Sequence, residues 1–271
     1  MAKIPDLDSY DVIEISSSAG KDSLAMVTYM AGLLLDRGLL DRAIVIHADM
    51  GRADWPGTAE LAQAQAEHFG MRSMVVTRPQ GDLLDHVKKI GKWPTPSQRY
   101  CTSDHKRGQI WVALTALADE VRASWPEDAP KRPVRVLNCV GLRAQESPGR
   151  AKAPTFHREK KPSGAKKIVD VWLPIHDWKE DLVWEICNAT GAPIHPAYAL
   201  GLPRASCVFC IYAPEDALKI AGMAMPELLR ECVKIEKQIN HKFKKNLPLA
   251  KVQQDLAEGI GPRGPIKSWR M

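Results

Sequence analysis

Residues 16–23 read SSSAGKDS, a run of small side chains closed by a lysine, an acid and a serine. Small residues let the backbone bend sharply and bring N–H groups against phosphate oxygens, and a following helix N-terminus favours negative charge. Lys21 supplies a full positive charge, and Ser16, Ser18, Gly20 and Ser23 complete a phosphate-binding set. The stretch is not a Walker loop: Ile15 stands where GxxxxGK[ST] needs its first glycine, and Asp22 follows the lysine. Asp22 reads as a helix cap or orienting residue rather than a base. A second constellation, GLRAQESPGR at 141–150, offers Arg143 and Arg150 to phosphate oxygens around Glu146. A structural Arg143–Glu146 salt bridge is the alternative. Arg99 and Lys106 flank Cys101 in RYCTSDHK and carry the same double reading.

The cysteines are Cys101, Cys139, Cys187, Cys207, Cys210 and Cys232. Cys139 lies in an apolar strand and Cys187 and Cys232 in helices, where each reads as a small buried hydrophobe. Cys207 and Cys210 form a CxxC in a Pro/Gly-rich loop. That spacing points two thiolates at one spot, which iron–sulfur clusters, zinc and redox disulfides all use. A metal is the favoured reading.

Positioning these groups falls to alternating strands and helices. Tyr10–Ser17, Ala43–His47, Arg72–Thr77 and Val134–Val140 read as strands; Ser23–Leu40, Thr58–Phe69 and Ser103–Val121 read as helices. Repeated βα units with Val/Ile-rich strands predict a Rossmann-like, doubly wound parallel sheet covered on both faces. The phosphate loop then falls at the first strand–helix junction, and GLRAQES at a strand's carboxyl end, where such folds bind nucleotides. WPEDAPKRP at 125–133 reads as a surface connection, and 150–167 as a basic loop. Beyond it, Trp178–Thr190 and Pro226–Phe243 read as helices around a Pro/Gly-rich Gly191–Arg204, and 261–271 as a loosely held tail. The expected division is a nucleotide-binding domain at 1–175 and a helical C-terminal region at 176–271 packed on it.

The 271 residues are 45% hydrophobic and 26% charged, an ordinary globular composition that needs no disulfide framework. No apolar run approaches the roughly 20 residues of a membrane span. The N-terminal MAKIPDLDSYD resembles no signal peptide, so the cytoplasm is the expected location. Net charge is +6, and it is concentrated: 150–167 holds seven bases against Glu159, while the remainder balances. Such a cluster is either a solvated loop or a polyanion-binding one.

SAGKDS at 18–23 resembles the SGGKDS signature of the PP-loop ATP pyrophosphatases, with Ala19 in place of a glycine. The resemblance implies an adenine nucleotide alpha hydrolase-like fold that splits ATP, with Mg2+, between its alpha and beta phosphates and transfers AMP. Four later segments resemble the phosphoadenosine-phosphosulfate (PAPS) reductase-like branch: DMGRADWPGT at 49–58, where Met50 and Gly57 depart from the pattern, RYCTSDHK, GLRAQESPGR and SCVFC at 206–210. The last two are similar to DndC-like proteins of DNA phosphorothioation systems.

For function, the resemblance implies an adenylating sulfurtransferase that inserts sulfur into nucleic acid. Lys21, Asp22, Arg143 and Glu146 would do the chemistry, and Asp49, Lys106, Arg143 and Arg150 would join the loop in holding ATP. It brings Cys101 beside Cys207 and Cys210 and makes a 4Fe-4S cluster the leading cofactor. Tyr100 stands where related reductases have a second cysteine, so either one iron is open or a fourth ligand such as Cys139 or His105 serves. Zn2+ with His105 or His195 is the alternative metal. DNA on the basic loop, a cysteine desulfurase and other DNA-modification subunits are the implied partners. The alternatives are a PAPS or adenylylsulfate reductase, which would need a nucleophilic cysteine that ECVKI at 231–235 imitates poorly, and a non-catalytic, nucleotide-gated DNA-binding subunit.

Overall fold

The computed structural model describes residues 3–129, 131–266 and 269. Six strands form one sheet: β1 (Val12–Ser17), β2 (Ala43–Asp49), β3 (Arg72–Thr77), β4 (Val134–Val140), β5 (Phe156–Arg158) and β6 (Lys167–Trp172), in the order β3-β2-β1-β4-β6-β5. The helices of eight or more residues are α1 (Lys21–Leu35), α2 (Thr58–His68), α3 (Leu83–Ile90), α4 (Gly108–Ser124), α5 (Glu180–Ala189), α6 (Glu215–Ala224), α7 (Pro226–Gln238) and α8 (Leu249–Ala257).

Side chains alternate across a strand, so each central strand feeds two cores. Ile13 and Ile15 of β1 with Leu137 and Cys139 of β4 pack against Leu24, Met30 and Leu34 of α1 and Val183 of α5. On the other face Val12, Ile44, Ile46 and Val136 meet Ile110, Leu114 and Leu117 of α4. Each fully buried Leu, Ile or Met contributes roughly 1.5–3 kcal/mol over an exposed one. β1 pairs in parallel with both β2 and β4, and β4 with β6. The strand order reverses between β1 and β4. This is the expected doubly wound sheet, and its switch point lies where the phosphate loop leaves β1 and GLRAQES leaves β4.

The sheet is not wholly parallel. The basic stretch expected as a loop folds instead into a hairpin, with β5 antiparallel to β6 at the sheet edge. Its strands escape a reading by periodicity because β5 is three residues long and β6 begins at a lysine. The Ser103–Val121 helix opens with a π-helical turn, Ser103–Arg107, and the expected helix from Pro226 stops at Gln238, beyond which Asn240 turns the chain at φ 48°.

Contacts divide the chain into two compact units. Unit 1 comprises 1–48, 59–76 and 109–194 and holds the sheet; unit 2 comprises 49–58, 77–108 and 195–271. They interleave along the sequence, unlike continuous 1–175 and 176–271 segments. In unit 2, α3, α6, α7 and α8 surround Leu84, Val87, Leu218, Leu229, Val233 and Val252. Arg52 ties the segment after β2 to α3 and α7, pairing with Asp82 and Asp85 at 2.6 Å each and with Glu231 at 2.5 Å. Within the expected tail, 267, 268, 270 and 271 lie outside the described residues, as does Pro130 of the 125–133 connection. No helix among the described residues is long and apolar enough to cross a membrane.

Candidate nucleotide and thiol sites

The phosphate loop is held by its own serines. Ser23 Oγ donates to Gly20 O at 2.8 Å and accepts Ser18 N at 3.3 Å, and Ser17 Oγ accepts Ala19 N at 3.1 Å. Ala19 takes a left-handed φ of 57°, the position where the related signature has glycine. A Cβ there costs about 1–2 kcal/mol, and the surroundings hold the conformation: Gln65 of α2 donates to Ala19 O at 3.2 Å and to Pro193 O at 2.9 Å. Gly20 is the N-cap of α1, so the first-turn amides face the loop. Asp22 does not cap this helix.

Asp22 instead accepts Arg143 Nε at 2.5 Å. Arg143 reaches across the switch point from the end of β4, and its Nη1 donates to Gln145 Oε1 at 2.9 Å. Gln145 Oε1 also accepts the backbone N–H of Glu180, the first residue of α5, at 2.9 Å. Glu180 closes the circuit by pairing with Lys21 Nζ at 3.2 Å, while Asp22 lies 3.8 Å from the same amine. Five residues from α1, the segment after β4 and α5 thus form one ring of ion pairs and hydrogen bonds, with Gln145 its neutral member and Lys21 3% exposed.

Glu146 meets Arg143 through the backbone, where a side-chain salt bridge between the two was the alternative reading. It accepts the Arg143 backbone N–H at 3.0 Å and pairs with the guanidinium of Arg150, fixing the 143–150 turn. Unit 1 therefore gathers Ser16, Ser18, Gly20, Lys21, Asp22, Ser23, Arg143, Glu146 and Arg150 at one edge of the sheet. Cys187 adds a detail: its thiol, pushed up to about 11 by burial, donates to Lys21 O at 3.3 Å.

Unit 2 assembles the thiols. The CxxC loop is sewn to the segment after β2 by Val208 N donating to Ala53 O at 2.9 Å and by Cys207 Sγ against Met50 Sδ at 3.8 Å. Asp49 Oδ1 accepts Gly51 N at 2.8 Å, closing that turn, and Asp54 accepts Met50 N at 3.0 Å. The π-helical turn after Cys101 brings residues five apart toward one face, which suits the C-x4-K spacing of Cys101 and Lys106. Cys101, Cys207 and Cys210 act on one another electrostatically, and all three act on Lys106. Burial pushes the Cys207 and Cys101 thiols up while Lys106 pulls both back. Burial alone would lower Lys106, but Cys207, Asp54, Cys101 and Cys210 outweigh it and raise it. Lys106, expected at phosphate, thus lies within electrostatic reach of the three thiols.

Cys101, Cys207 and Cys210 are electrostatic neighbours, but their sulfurs do not all lie within 4.8 Å of one another, wider than a single zinc ion draws its thiolates. Six free cysteines and no disulfide are present among the described residues. His195 does not fit as a zinc ligand. Its Nδ1 accepts Ala197 N at 3.1 Å, which leaves the proton on Nε2, 3.2 Å from Thr58 Oγ1. Cys139 lies in the unit 1 core with its thiol pushed well up by burial. His105 is fully buried and donates to or accepts from His86 at 2.9 Å; its Nδ1 has no hydrogen-bond partner among the described residues.

Residues 13–213 match the model of the phosphoadenosine phosphosulfate reductase domain. The chain belongs to that family. It is 24% identical over 180 residues to an uncharacterized 37.8 kDa protein of Escherichia phage 186, a match covering 66% of this chain and 50% of that protein. The chain thus spans about half the length of this curated relative. Among solved structures it is similar to the PAPS reductase of Candida auris in a phosphate complex, at 14% identity over 74% of this chain and 84% of that one, with a TM-score of 0.48. It is also similar to the U34-tRNA thiolase NcsA of Methanococcus maripaludis with its [4Fe-4S] cluster, at 14% identity over 98% and 79% of the two chains, with a TM-score of 0.48.

Several site residues of this PAPS reductase family member carry no mark in the sequence. Glu180 and Gln145 close the ring around Lys21, and Gln65 supports the loop, yet each is an ordinary polar residue whose importance comes from its partner. Asp54 lies inside the recognised 49–58 segment, where its spacing from Asp49 was the available signal.

Proposed function

We propose that this chain is an adenylating ATP pyrophosphatase that passes sulfur to a nucleic-acid acceptor, in the manner of DndC-like DNA phosphorothioation proteins. The observation that carries the reading is the intact SAGKDS loop at the β1/β4 switch point, with Lys21, Asp22, Arg143, Gln145 and Glu180 in one ring. ATP with its Mg2+ is the substrate. An acceptor oxygen attacks the alpha phosphorus, the bond to the beta-phosphate oxygen breaks, and pyrophosphate leaves. Negative charge grows on the leaving group, and Lys21, the loop amides and the serine hydroxyls are donors placed to meet it. Arg143 and Arg150 line the same edge, and Asp22 orients Arg143.

Cys101, Cys207 and Cys210 would hold a 4Fe-4S cluster, or in the second reading Zn2+, and a bound cluster would supply sulfur to the adenylated acceptor as AMP departs. Lys106 compensates the thiolate charge. A cysteine desulfurase with a thiol reductant is the class of partner that would replenish such sulfur, and thiols kept reduced suit a cytoplasmic setting.

The reductase alternative counts on a C-terminal nucleophilic cysteine. Cys232 is 2% exposed inside α7, and burial pushes its thiol up to about 12, which opposes that role. The deciding experiment is ATP–pyrophosphate exchange with the anaerobically purified protein in the presence of a nucleic-acid acceptor. Exchange is expected for the native chain, falling about 100-fold or more in Lys21→Ala, on the scale of losing one transition-state donor. Sulfite release from PAPS with thioredoxin, abolished by Cys232→Ser, would establish the reductase instead.

A further inference from the structure

The 150–167 stretch is less charged in the fold than in the sequence. Arg150 is paired with Glu146, Arg158 with Asp170 at 3.0 Å, and Lys167 is buried with its amine on Thr115. What remains exposed without an ion-pair partner among the described residues is Lys152, Lys160, Lys161 and Lys166, while Arg158 is exposed but paired. Lys161 rests 5.5 Å from the ring centre of Trp111 on α4. The edge strand itself presents Phe156, 45% exposed.

This distribution separates two purposes of a basic edge. A strand protected only against edge-to-edge pairing carries its lysines on the strand. Here the four lysines lie in the turn and the flanks, and the strand offers Phe156 on the same face as Arg158, whose guanidinium is held by Asp170. Lysines that track phosphates around an aromatic platform are what unpaired nucleotides require, because every base has a face that stacks. A duplex keeps its base faces covered and would leave Phe156 without a counterpart.

We propose that the β5–β6 hairpin binds single-stranded nucleic acid, with Lys152, Lys160, Lys161 and Lys166 on the phosphates and Phe156 under a base. The proposal deepens the functional reading above by naming its acceptor class and the surface that presents it.

The test is fluorescence anisotropy of the full chain, without ATP, against labelled 20-nucleotide poly(dT), poly(rU) and a mixed-sequence 20-base-pair duplex. Single strands are expected to bind more tightly than the duplex, and the poly(dT) and poly(rU) arms tell a DNA from an RNA source. The fourfold Lys→Ala variant at 152, 160, 161 and 166 should weaken single-strand binding at least tenfold at low salt. It should also flatten the slope of log Kd against log salt by up to about 3. Phe156→Ala should weaken single strands roughly five- to 100-fold and leave the duplex unchanged. All these positions are exposed, so thermal melting should match the native chain, and Lys160→Ala/Lys161→Ala gives a milder check. Equal affinity for duplex and single strand, or an unchanged affinity in the fourfold variant, overturns the proposal. Intact strand binding in a protein with no pyrophosphate exchange would overturn the catalytic reading alone.

Discussion

Glu14 is a carboxyl in the middle of β1, opposite Asn138 of β4 and 0% exposed. Ser16 Oγ donates to its Oε1 at 2.9 Å, and Oε2 has no partner among the described residues. Burial raises its pKa from 4.5 to about 8, with Ser16 opposing the rise. The native chain then holds a proton between those pH values that the unfolded chain has released. Stability contributed here is greatest at low pH and falls as pH climbs from about 4.5 to about 8. The loss amounts to roughly 3–5 kcal/mol by the top of the window. Glu14→Gln, which cannot ionise, should unfold in urea with a midpoint much less dependent on pH between 5 and 8, and should gain on the native chain as pH rises. Parallel pH profiles for the two proteins would show that Glu14 is ionised in the fold. YDVIEISS reads as a strand from its apolar residues, and nothing in that pattern marks Glu14 as buried. Only the second layer of helices buries it.

Helix starts attract acids because aligned peptide dipoles leave positive charge there, and α5 opens with Glu180 and Asp181. That local preference places Glu180 on Lys21, so the group expected to meet phosphate already has a carboxylate partner. An incoming triphosphate must compete with it. Glu180 is 43% exposed, so the pair is screened and its worth is about 1 kcal/mol at most. Glu180→Gln should therefore bind ATP-Mg or pyrophosphate up to about fivefold more tightly by titration calorimetry. Weaker binding would mean that Glu180 touches the nucleotide or its magnesium. At this scale the sequence was legible where periodicity was long: β1, α1, β2, α2, β3 and β4 fall close to their expected bounds. The hairpin was not, since β5 is short and polar. Helices α3, α6 and α8, each of ten residues or fewer, lie among turns and prolines that interrupt the pattern.

The two units make different demands on the chain. Unit 1 rests on a sheet with two apolar cores. Unit 2 is drawn from three separated stretches, and its thiol centre takes something from each: Asp54 and Met50 from 49–58, Cys101 and Lys106 from 77–108, and Cys207 and Cys210 from 195–271. The CxxC was legible in sequence as a pair, but that Lys106 belongs to it depends on the π-helical turn, which spacing does not announce. Because burial keeps Cys101 and Cys207 protonated when unliganded, binding a metal must expel those protons, and the free energy of ligation is spent on organising the three stretches. Removing the metal from anaerobically purified protein should therefore release 49–58, 77–108 and 195–266 to hydrogen exchange while leaving β1, β4 and α4 protected. Cys207→Ser should purify with its iron or zinc largely lost and show the same pattern without chelation. Stripped protein whose unit 2 amides stay as protected as in the metal-loaded form would mean that the thiols hold no structural metal. Loss of protection in both units alike would mean that the metal supports the sheet as well, contrary to a centre built from unit 2 residues alone.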